Sequence, residues 1–286
     1  MEINMYEPTH LPVFHEKNAL LTGVNFSLLY KDCFVKHDDP DIEPAHIHEY
    51  AEIFFNISSE VSFLVNNRIF PVAHGNAVMV GANDIHVCIY EKSCNQEYFC
   101  LWIDSVAESP ISALLREAKG DGLLCFDGKT AESIRLLLFA LRDIYCDEGK
   151  DIEKASLFLQ IVTLLGKRNL MSPLGYNVPE QFQRILDDIN DNFSTIHYVG
   201  DIIDKHFVSS ATLDRWFRRY LHITPREFLE SKKLSHAANL LAAGESVTDA
   251  CLRSGFSDCS HFIRLFKKKF GETPLKYKQR ASKSGS

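Results

Sequence analysis

One pattern occurs twice between residues 199 and 270 and constrains the fold more than any other feature of the sequence. In each copy a short helical segment, a tight turn and a second helical segment follow one another. The turns are Val208-Ser209 and Gly255-Phe256-Ser257, and a longer helical segment predicted over 225–243 joins the copies. A short turn that contains glycine between two helices is typical of a helix-turn-helix unit. The pattern predicts an all-α domain with two helix-turn-helix units joined by a long helix.

Each second helix, predicted over 210–221 and 258–270, has an apolar face and a polar, largely cationic face. Leu213 and Phe217 in the first helix, and Phe262 and Phe266 in the second, recur at the helical period and predict the buried side. Ser209 or Ser210 can cap the first helix by accepting hydrogen bonds from the N–H groups of its first turn. The outward faces carry Ser210, Ala211, Asp214, Arg215, Arg218 and Arg219 in the first unit, and Ser260, His261, Arg264, Lys267 and Lys268 in the second.

Charge is distributed unevenly along the chain. Residues 1–178 contain 14 lysines and arginines against 25 aspartates and glutamates, whereas residues 205–286 contain 16 against 7. The net charge of the whole chain, −7, hides this difference. An acidic region joined to a basic one suggests separate domains, and the basic region meets the electrostatic requirement for phosphate contacts.

An uncharged stretch separates the two regions. Residues 171–178 include Pro173 and Gly175, and Pro179 follows directly. Such a stretch between helical patterns indicates an interdomain linker. We predict an N-terminal domain over 1–170, a linker over 171–178 and a C-terminal domain over 179–286.

The first half of the N-terminal domain is rich in short β-branched and aromatic runs. They cover 24–30, 53–57, 61–65, 77–80, 85–90 and 98–103, and turn residues separate them. Many short strands at this spacing indicate an antiparallel sandwich or a small barrel.

Two histidines and a glutamate lie close together in the segment 44–54. A strand continuous through this segment would turn every second side chain to one face. Those side chains are His46, His48, Tyr50, Glu52 and Phe54. Converging imidazole and carboxylate groups could bind a divalent metal, with His86 as a fourth ligand. The same groups could instead line a metal-free ligand pocket, or serve no ligand at all.

This segment resembles the first motif of the cupin superfamily, H-x-H-x3-E, whose second motif contributes another histidine. His46, His48, Glu52 and His86 match the four positions, while Ser59 stands where a glycine is expected and the P-x-G of the second motif is absent. The resemblance implies a cupin-like barrel that holds either a divalent metal or, without metal, a sugar or another metabolite. The expected ligand-binding residues are the four above with Tyr50, Phe54 and Trp102, whose rings could stack on a sugar. Apart from a metal at His46, His48, Glu52 and His86, no cofactor is expected.

Two helices are predicted after the strands. Apolar residues at i, i+3, i+4 and i+7 from Ile134 predict the first. The second, predicted over 152–170, is apolar on more than one face and should be buried on two sides. One side can cover the barrel and the other can contact a second chain, which predicts a homodimer through helices near 131–170. A helix buried within a single domain is the alternative.

The second helix-turn-helix unit carries a longer motif. From Gly255 to Pro274 the sequence reads GFSDCSHFIRLFKKKFGETP. It resembles the signature of the AraC/XylS family of bacterial transcription regulators, G-F-x-D-x-S-x-F-x-R-x-F-K-K-x-x-G-x-T-P. Agreement extends to Ser209, Leu213, Phe217, Phe228, Leu229, Leu234, Ala237, Leu240 and Leu241. Departures are Ile203 and Cys251 for alanines, His222 for a glycine and Lys233 for an arginine. A cupin-like domain followed by dimerisation helices also fits many members.

The resemblance implies that each second helix enters the major groove of double-stranded DNA, with the long helix holding the two helices one helical turn apart. The expected DNA-binding residues are Ser210, Ala211, Asp214, Arg215, Arg218, Cys259, Ser260, His261, Ile263, Arg264, Lys267 and Lys268. Arg215 and Arg264 are expected to read guanine, because a guanidinium can donate two hydrogen bonds to O6 and N7. Arg218, Lys267 and Lys268 are expected to contact phosphates.

The predicted function is therefore sequence-specific regulation of transcription, and not catalysis. A small-molecule effector in the barrel and RNA polymerase are the further partners that the resemblance implies. A metal-dependent cupin enzyme with a basic appendage and a DNA-binding protein without an effector are the alternatives.

The remaining features of the sequence concern its location. The N-terminus lacks the pattern of a signal peptide, and no run reaches the roughly 18 apolar residues of a membrane helix. The eight cysteines are scattered without a C-x-x-C pair, which favours reduced thiols over a disulfide scaffold. A cytoplasmic protein that does not insert into membranes is expected.

Overall fold

A computed structural model describes residues 24–37, 42–58, 60–104, 122–168 and 178–284 of the protein. These residues form an N-terminal region (24–168) of two sheets and two helices, and a C-terminal helical domain (178–284). A β-rich region followed by an all-α helix-turn-helix domain is thereby confirmed. The predicted linker lies outside the described residues except for Val178.

The strands of the N-terminal region are β1 (Asn25–Val35), β2 (Ala51–Asn56), β3 (Val61–Val65), β4 (Arg68–Val72), β5 (Ala77–Val80), β6 (His86–Ile89), β7 (Cys94–Asp104) and β8 (Leu123–Leu124). Six of these strands have two to six residues, whereas β1 and β7 have 11 residues each and are longer than the runs predicted over 24–30 and 98–103. One antiparallel sheet has the order β1-β7-β2-β5-β8, and the other has the order β4-β3-β6. The register of the larger sheet pairs Glu52 with Trp102.

The two sheets pack face to face through a buried apolar cluster. Phe54 and Val78 come from the larger sheet, and Phe63, Phe70 and Val72 come from the smaller one. Because side chains alternate along a strand, each sheet has a second face that must be covered by another layer.

Two helices cover the second face of the larger sheet. They are α1 (Gly128–Ile144) and α2 (Asp151–Leu165). Asp127 caps α1 through a hydrogen bond from Thr130 N–H to its side chain. Leu138 of α1 and Phe158 of α2 pack against strand residues such as Phe99, and the Phe158 ring stacks on Phe26 at 4.5 Å between centroids.

The helical domain contains the two predicted units. Its helices are α3 (Glu180–Asn192), α4 (Val199–His206), α5 (Ser210–Leu221), α6 (Pro225–Ala242), α7 (Val247–Arg253), α8 (Cys259–Phe270) and α9 (Pro274–Ser284). Helices α4 and α5 form the first helix-turn-helix unit, α7 and α8 form the second, and α6 joins them. A reciprocal capping box between Thr224 and Glu227 fixes the start of α6, with Pro225 at its first position.

The second face of the smaller sheet packs on the helical domain. Leu64, Ile69, Ile85 and Val87 belong to the same buried cluster as the aromatic core of the helices. The described part of the molecule is therefore layered: helices, larger sheet, smaller sheet and helical domain.

The structure differs from the sequence-based expectation at four elements. Strands β4 and β8 and helix α9 were not predicted. The continuous strand proposed for residues 46–54 was wrong, since β2 begins only at Ala51. His46 instead forms a single bridge with His86 of the smaller sheet, so the chain crosses between sheets before β2 starts.

Among the described helices, none combines the length and the apolar character needed to cross a membrane.

Candidate DNA interface and sensor-region site

Helix α8 is held by its caps and by its buried aromatic face. The Asp258 side chain accepts a hydrogen bond from Ser260 N–H at 2.8 Å, and Gly271 ends the helix in the left-handed conformation. Phe262 and Phe266 are fully buried. The opposite face therefore has a fixed direction, and Ser260, Ile263, Arg264, Lys267 and Lys268 are exposed on it, with Cys259 and His261 half-buried.

Helix α5 has the same construction. Ser209 is the cap, as one of the two predicted alternatives, and accepts from Thr212 N–H at 3.1 Å. Leu213, Phe217 and Leu221 are buried. Ser210, Ala211, Arg215 and Arg218 are exposed, while Asp214 is half-buried.

The cations on these two faces form no close ion pairs within the described ranges. No ion pair there involves Arg215, Arg218, Arg264, Lys267 or Lys268. Other cations of the helical domain, such as Lys205 and Arg280, are paired with carboxylates. Positive charge that is not held in ion pairs, on a fixed helix face, is what phosphate contacts require.

Lys233 of α6 ties the two units together, a role that sequence reasoning did not give it. Its Nζ donates to the carbonyl of Ile196, before the first unit, and to that of Gly255, in the turn of the second, both at 2.9 Å. Burial lowers the pKa of this lysine. The sequence does contain a signal that Lys233 is buried. This lysine interrupts a series of apolar residues at four-residue spacing that runs from Leu229 to Leu241.

The predicted ligand quartet converges in the N-terminal region. His46, His48, Glu52 and His86 each place one ligand atom within 4.8 Å of the others, and all but His46 are buried. His48 Nε2 lies 3.0 Å from Glu52 Oε2, and His86 Nε2 lies 3.6 Å from the same oxygen. The cluster forms although the strand is interrupted, because the His46–His86 bridge brings the two segments together.

Glu52 receives two further contacts. Trp102 Nε1 donates to its Oε2 at 2.8 Å, and the Cys100 thiol donates to its Oε1 at 3.4 Å. Burial acts to raise the pKa of Glu52, but its close contacts with His48 and His86 outweigh burial and hold the pKa well below its usual range. The carboxylate is therefore a fixed, buried negative charge.

The aromatic candidates take different positions. Tyr50 stacks on His48 with 3.9 Å between ring centroids, and Trp102 joins the cluster through Glu52. Phe54 lies one layer away, with its ring 5.1 Å from that of Phe63. A separate cleft of about 320 Å³ lies at the end of the smaller sheet, with Ser62, Tyr90 and Lys92 in its wall. In the described ranges, none of the seven predicted ligand residues lines this cleft.

Comparisons with known proteins agree with this architecture. A family model described as a helix-turn-helix domain matches residues 203–280. The transcriptional activator RhaR of Mannheimia succiniciproducens is 24% identical over 260 residues, which cover 86% of this chain and 90% of the relative. The transcriptional activator RhaS of Citrobacter koseri is 27% identical over 251 residues, which cover 82% of this chain and 87% of the relative. These relatives are transcription regulators and not enzymes.

Among solved structures, ToxT from Vibrio cholerae O395 is 14% identical, with a TM-score of 0.37 over 90% of this chain and 98% of that chain. The tandem units and the matches to regulators of similar length identify the chain as a DNA-binding transcription regulator, and its signature over 255–274 is similar to that of the AraC/XylS family.

Proposed function

We propose that α5 and α8 read two successive stretches of major groove, with the twelve predicted residues on their outward faces forming the DNA interface. The observation that carries this proposal is the pair of capped helices whose outward cations form no ion pairs among the described residues. Arg215 and Arg264 are exposed with room to reach base edges, and Arg218, Lys267 and Lys268 suit phosphates. The ties from Lys233 to both units support a fixed spacing between the helices.

The test separates base reading from phosphate contact. A binding site is first selected from a random duplex library with the full chain. We then expect Arg264→Ala to weaken binding to that site by about 1–3 kcal/mol and to relax specificity at one position. Lys267→Ala should weaken binding to all sequences equally and reduce the salt slope by about 1.

Arg135→Ala is the matched control, because Arg135 is a cation on α1, far along the chain from the proposed interface. It should change neither affinity nor salt slope. If Arg264→Ala left both affinity and specificity intact, α8 would not be a reading helix.

For the N-terminal region we propose a cupin-like barrel over 1–170 that binds a small-molecule effector, with the linker at 171–178 and the DNA-binding domain at 179–286. The buried polar groups around Glu52, with Tyr50 and Trp102 beside them, support a ligand site there. Thermal unfolding of the full chain against sugars and other metabolites tests it, because a ligand at 100 times its Kd stabilises by about 2.7 kcal/mol.

We further propose that the protein is a cytoplasmic homodimer that recruits RNA polymerase as an activator. The names of the relatives, transcriptional activators, support the direction of control. Exposed apolar residues on α1 and α2, which are Leu136, Ile152 and Leu159, support dimerisation through these helices. The effector acts only if it binds one arrangement of the dimer or of the domains better than another.

A further inference from the structure

Two cysteines meet inside the second helix-turn-helix unit. Cys251 lies in α7 and is fully buried, whereas Cys259 is the first residue of α8 and is half-buried. Their side chains are hydrogen-bonded to each other across the turn over 254–258. Free cysteine is among the most buried residue types, so core packing does not by itself explain a thiol that is partly exposed at the start of α8.

The turn around the Cys251 thiol is held on both sides. Cys251 Sγ lies 3.8 Å from the carbonyl oxygen of Phe256, and the N–H of Phe256 donates to the carbonyl of Cys251 at 3.2 Å. The carbonyl of Gly255 accepts from Lys233 Nζ at 2.9 Å, and the Gly255 Cα lies against the backbone of Ser194. The turn therefore has little room to move when the two sulfurs approach each other.

The two thiols differ in how readily they react. Burial and the hydrogen bond with Cys259 raise the pKa of Cys251 to about 12, so Cys251 stays protonated near neutral pH. The thiolate is the reactive form of cysteine, so Cys251 is protected in the reduced chain. Of the two side chains, only that of Cys259 is partly exposed, and an oxidant in solution therefore reaches Cys259 first.

We propose that Cys251 and Cys259 are a modification site, at which a hydroperoxide produces a reversible disulfide that weakens the binding of α8 to DNA. The disulfide itself is independent of the function proposed above. Its effect on DNA binding rests on that function, because it requires α8 to be a reading helix.

Oxidation proceeds in two steps. The Cys259 sulfur attacks one oxygen of the hydroperoxide, the O–O bond breaks, and Cys259 becomes a sulfenic acid while water or an alcohol leaves. The Cys251 sulfur then attacks the Cys259 sulfur, and the hydroxyl of the sulfenic acid leaves as water with the proton of Cys251. In total the two thiols lose two electrons and two protons, and the hydroperoxide is reduced.

Formation of the bond draws the start of α8 toward α7. A disulfide holds its two sulfurs about 2.05 Å apart, much closer than two hydrogen-bonded thiols. Because Lys233 and Ser194 hold the turn at Gly255, the first turn of α8 takes up the movement. Arg264 lies on the outward face of the same helix, five residues after Cys259, and two hydrogen bonds from one guanidinium to one guanine tolerate little displacement.

A pair of cysteines that serves packing alone is the competing explanation. Cysteine behaves as a small apolar residue in a core, which accounts for the burial of Cys251. It does not account for a second thiol at the partly exposed position of Cys259, in hydrogen-bond contact with the first. A disulfide-forming pair accounts for both positions.

The first experiment maps the bond in the full chain. The reduced protein is treated with hydrogen peroxide, the remaining thiols are alkylated, and the chain is digested with trypsin without reduction. Cleavage after Arg253 separates the two cysteines into the peptides 234–253 and 254–264. We expect mass spectrometry to find these peptides joined, with two hydrogen atoms fewer than the two reduced peptides together, and to find them separate after dithiothreitol.

The exposed thiol of Cys146 shows whether the peroxide dose is sufficient. If Cys146 is oxidised while both peptides carry the alkyl label, or while Cys259 is oxidised without a link to Cys251, the proposed disulfide is wrong. This result needs no variant, so it does not depend on whether a substituted chain folds.

The second experiment measures affinity for the selected duplex before and after peroxide. We expect oxidation to weaken binding by the wild-type chain at least about 5-fold, the smallest loss for a broken bidentate contact, and dithiothreitol to restore it. Cys251→Ala should bind as tightly as the reduced wild-type chain and should keep its affinity in peroxide, because it cannot form the bond. Cys146→Ala is the matched control and should lose affinity as the wild-type chain does, since Cys146 is an exposed thiol beyond the end of α1.

An equal loss of affinity in Cys251→Ala, or an unchanged affinity of wild-type chain in which the disulfide has been mapped, would overturn the effect on α8. The reduced wild-type chain separates this result from the proposed function. If that chain binds no duplex selectively, the proposed function fails, whereas the peptide map still decides whether the disulfide forms.

Discussion

Gly255 shows how much a single residue of the second unit contributes. Its φ is +78°, and a Cβ added there would lie 2.3 Å from the carbonyl oxygen and 2.7 Å from the Cα of Ser194. Both contacts are with backbone, which cannot rotate away. We expect Gly255→Ala to destabilise the protein by about 3 kcal/mol or more, measured by urea unfolding.

Gly271 provides the comparison at nearly the same backbone conformation. Its φ is +75°, but an added Cβ would meet no atom within 4 Å. Gly271→Ala should therefore lower the free energy of unfolding by only about 1 kcal/mol, because the left-handed conformation is its only cost. Equal losses in the two variants would show that the contact with Ser194 does not limit the turn. The sequence predicted a glycine turn here, but not its contact, because Ser194 lies 61 residues earlier in the chain.

At the scale of elements, α3 and α4 are joined through one carboxylate. Asp188 of α3 accepts from Lys205 Nζ at 2.5 Å and from His206 Nε2 at 2.9 Å, both in the last turn of α4, and also from Asn192. Burial acts to raise the pKa of Asp188, but these hydrogen bonds outweigh it and lower the pKa.

Because the pKa of Asp188 is lower in the folded chain than in the unfolded one, the folded chain binds fewer protons. The stabilisation is present above the unfolded pKa, about 3.9, and is lost as pH falls through the lower folded value. We expect Asp188→Asn to lower the free energy of unfolding by about 2 kcal/mol at pH 7 and to flatten its fall below pH 5. Asp191→Asn, at an exposed position of the same helix, should leave the urea midpoint and its pH dependence unchanged.

The helices of the two units were predictable to within one or two residues, because local signals set their ends. Ser209, Asp258 and Pro225 each satisfy or avoid an unpaired N–H at a helix start. Strand β4 was not predictable, because it contains Pro71 and a proline in the sequence argues against a strand. The structure accommodates Pro71 because β4 lies at the edge of its sheet. Helix α9 has few apolar residues, and it packs through Tyr277, whose ring lies 5.3 Å from that of Phe266.

At the scale of the whole molecule, the quartet was predictable as a set but its position was not. The spacing of His46, His48 and Glu52 identified a possible ligand group. Nothing in that spacing shows that the adjacent residues Ala45 and Ile47 pack on the helical domain, because this contact joins residues more than 130 positions apart. Docking of the two parts is a long-range property, which local patterns do not encode.

The outer surface of α2 bears on the oligomeric state. Ile152 and Leu159 are 70% and 41% exposed and lie seven residues apart, two turns along the same face, while Phe158 is buried against the sheet. Leu136 of α1 is 55% exposed. Large apolar side chains grouped on neighbouring helices are typical of an interaction surface.

We expect the wild-type chain to sediment as a dimer and Leu159→Arg to sediment as a monomer, because the arginine would place a charge in the apolar contact. The monomer should retain the folded spectrum but bind a duplex with two copies of the selected site at least 10-fold more weakly, since the gain from linked binding is lost. Leu275→Arg, at a 55% exposed leucine of α9, is the matched control and should remain dimeric. If the Leu159→Arg chain still sediments as a dimer, the dimer interface does not involve this face of α2.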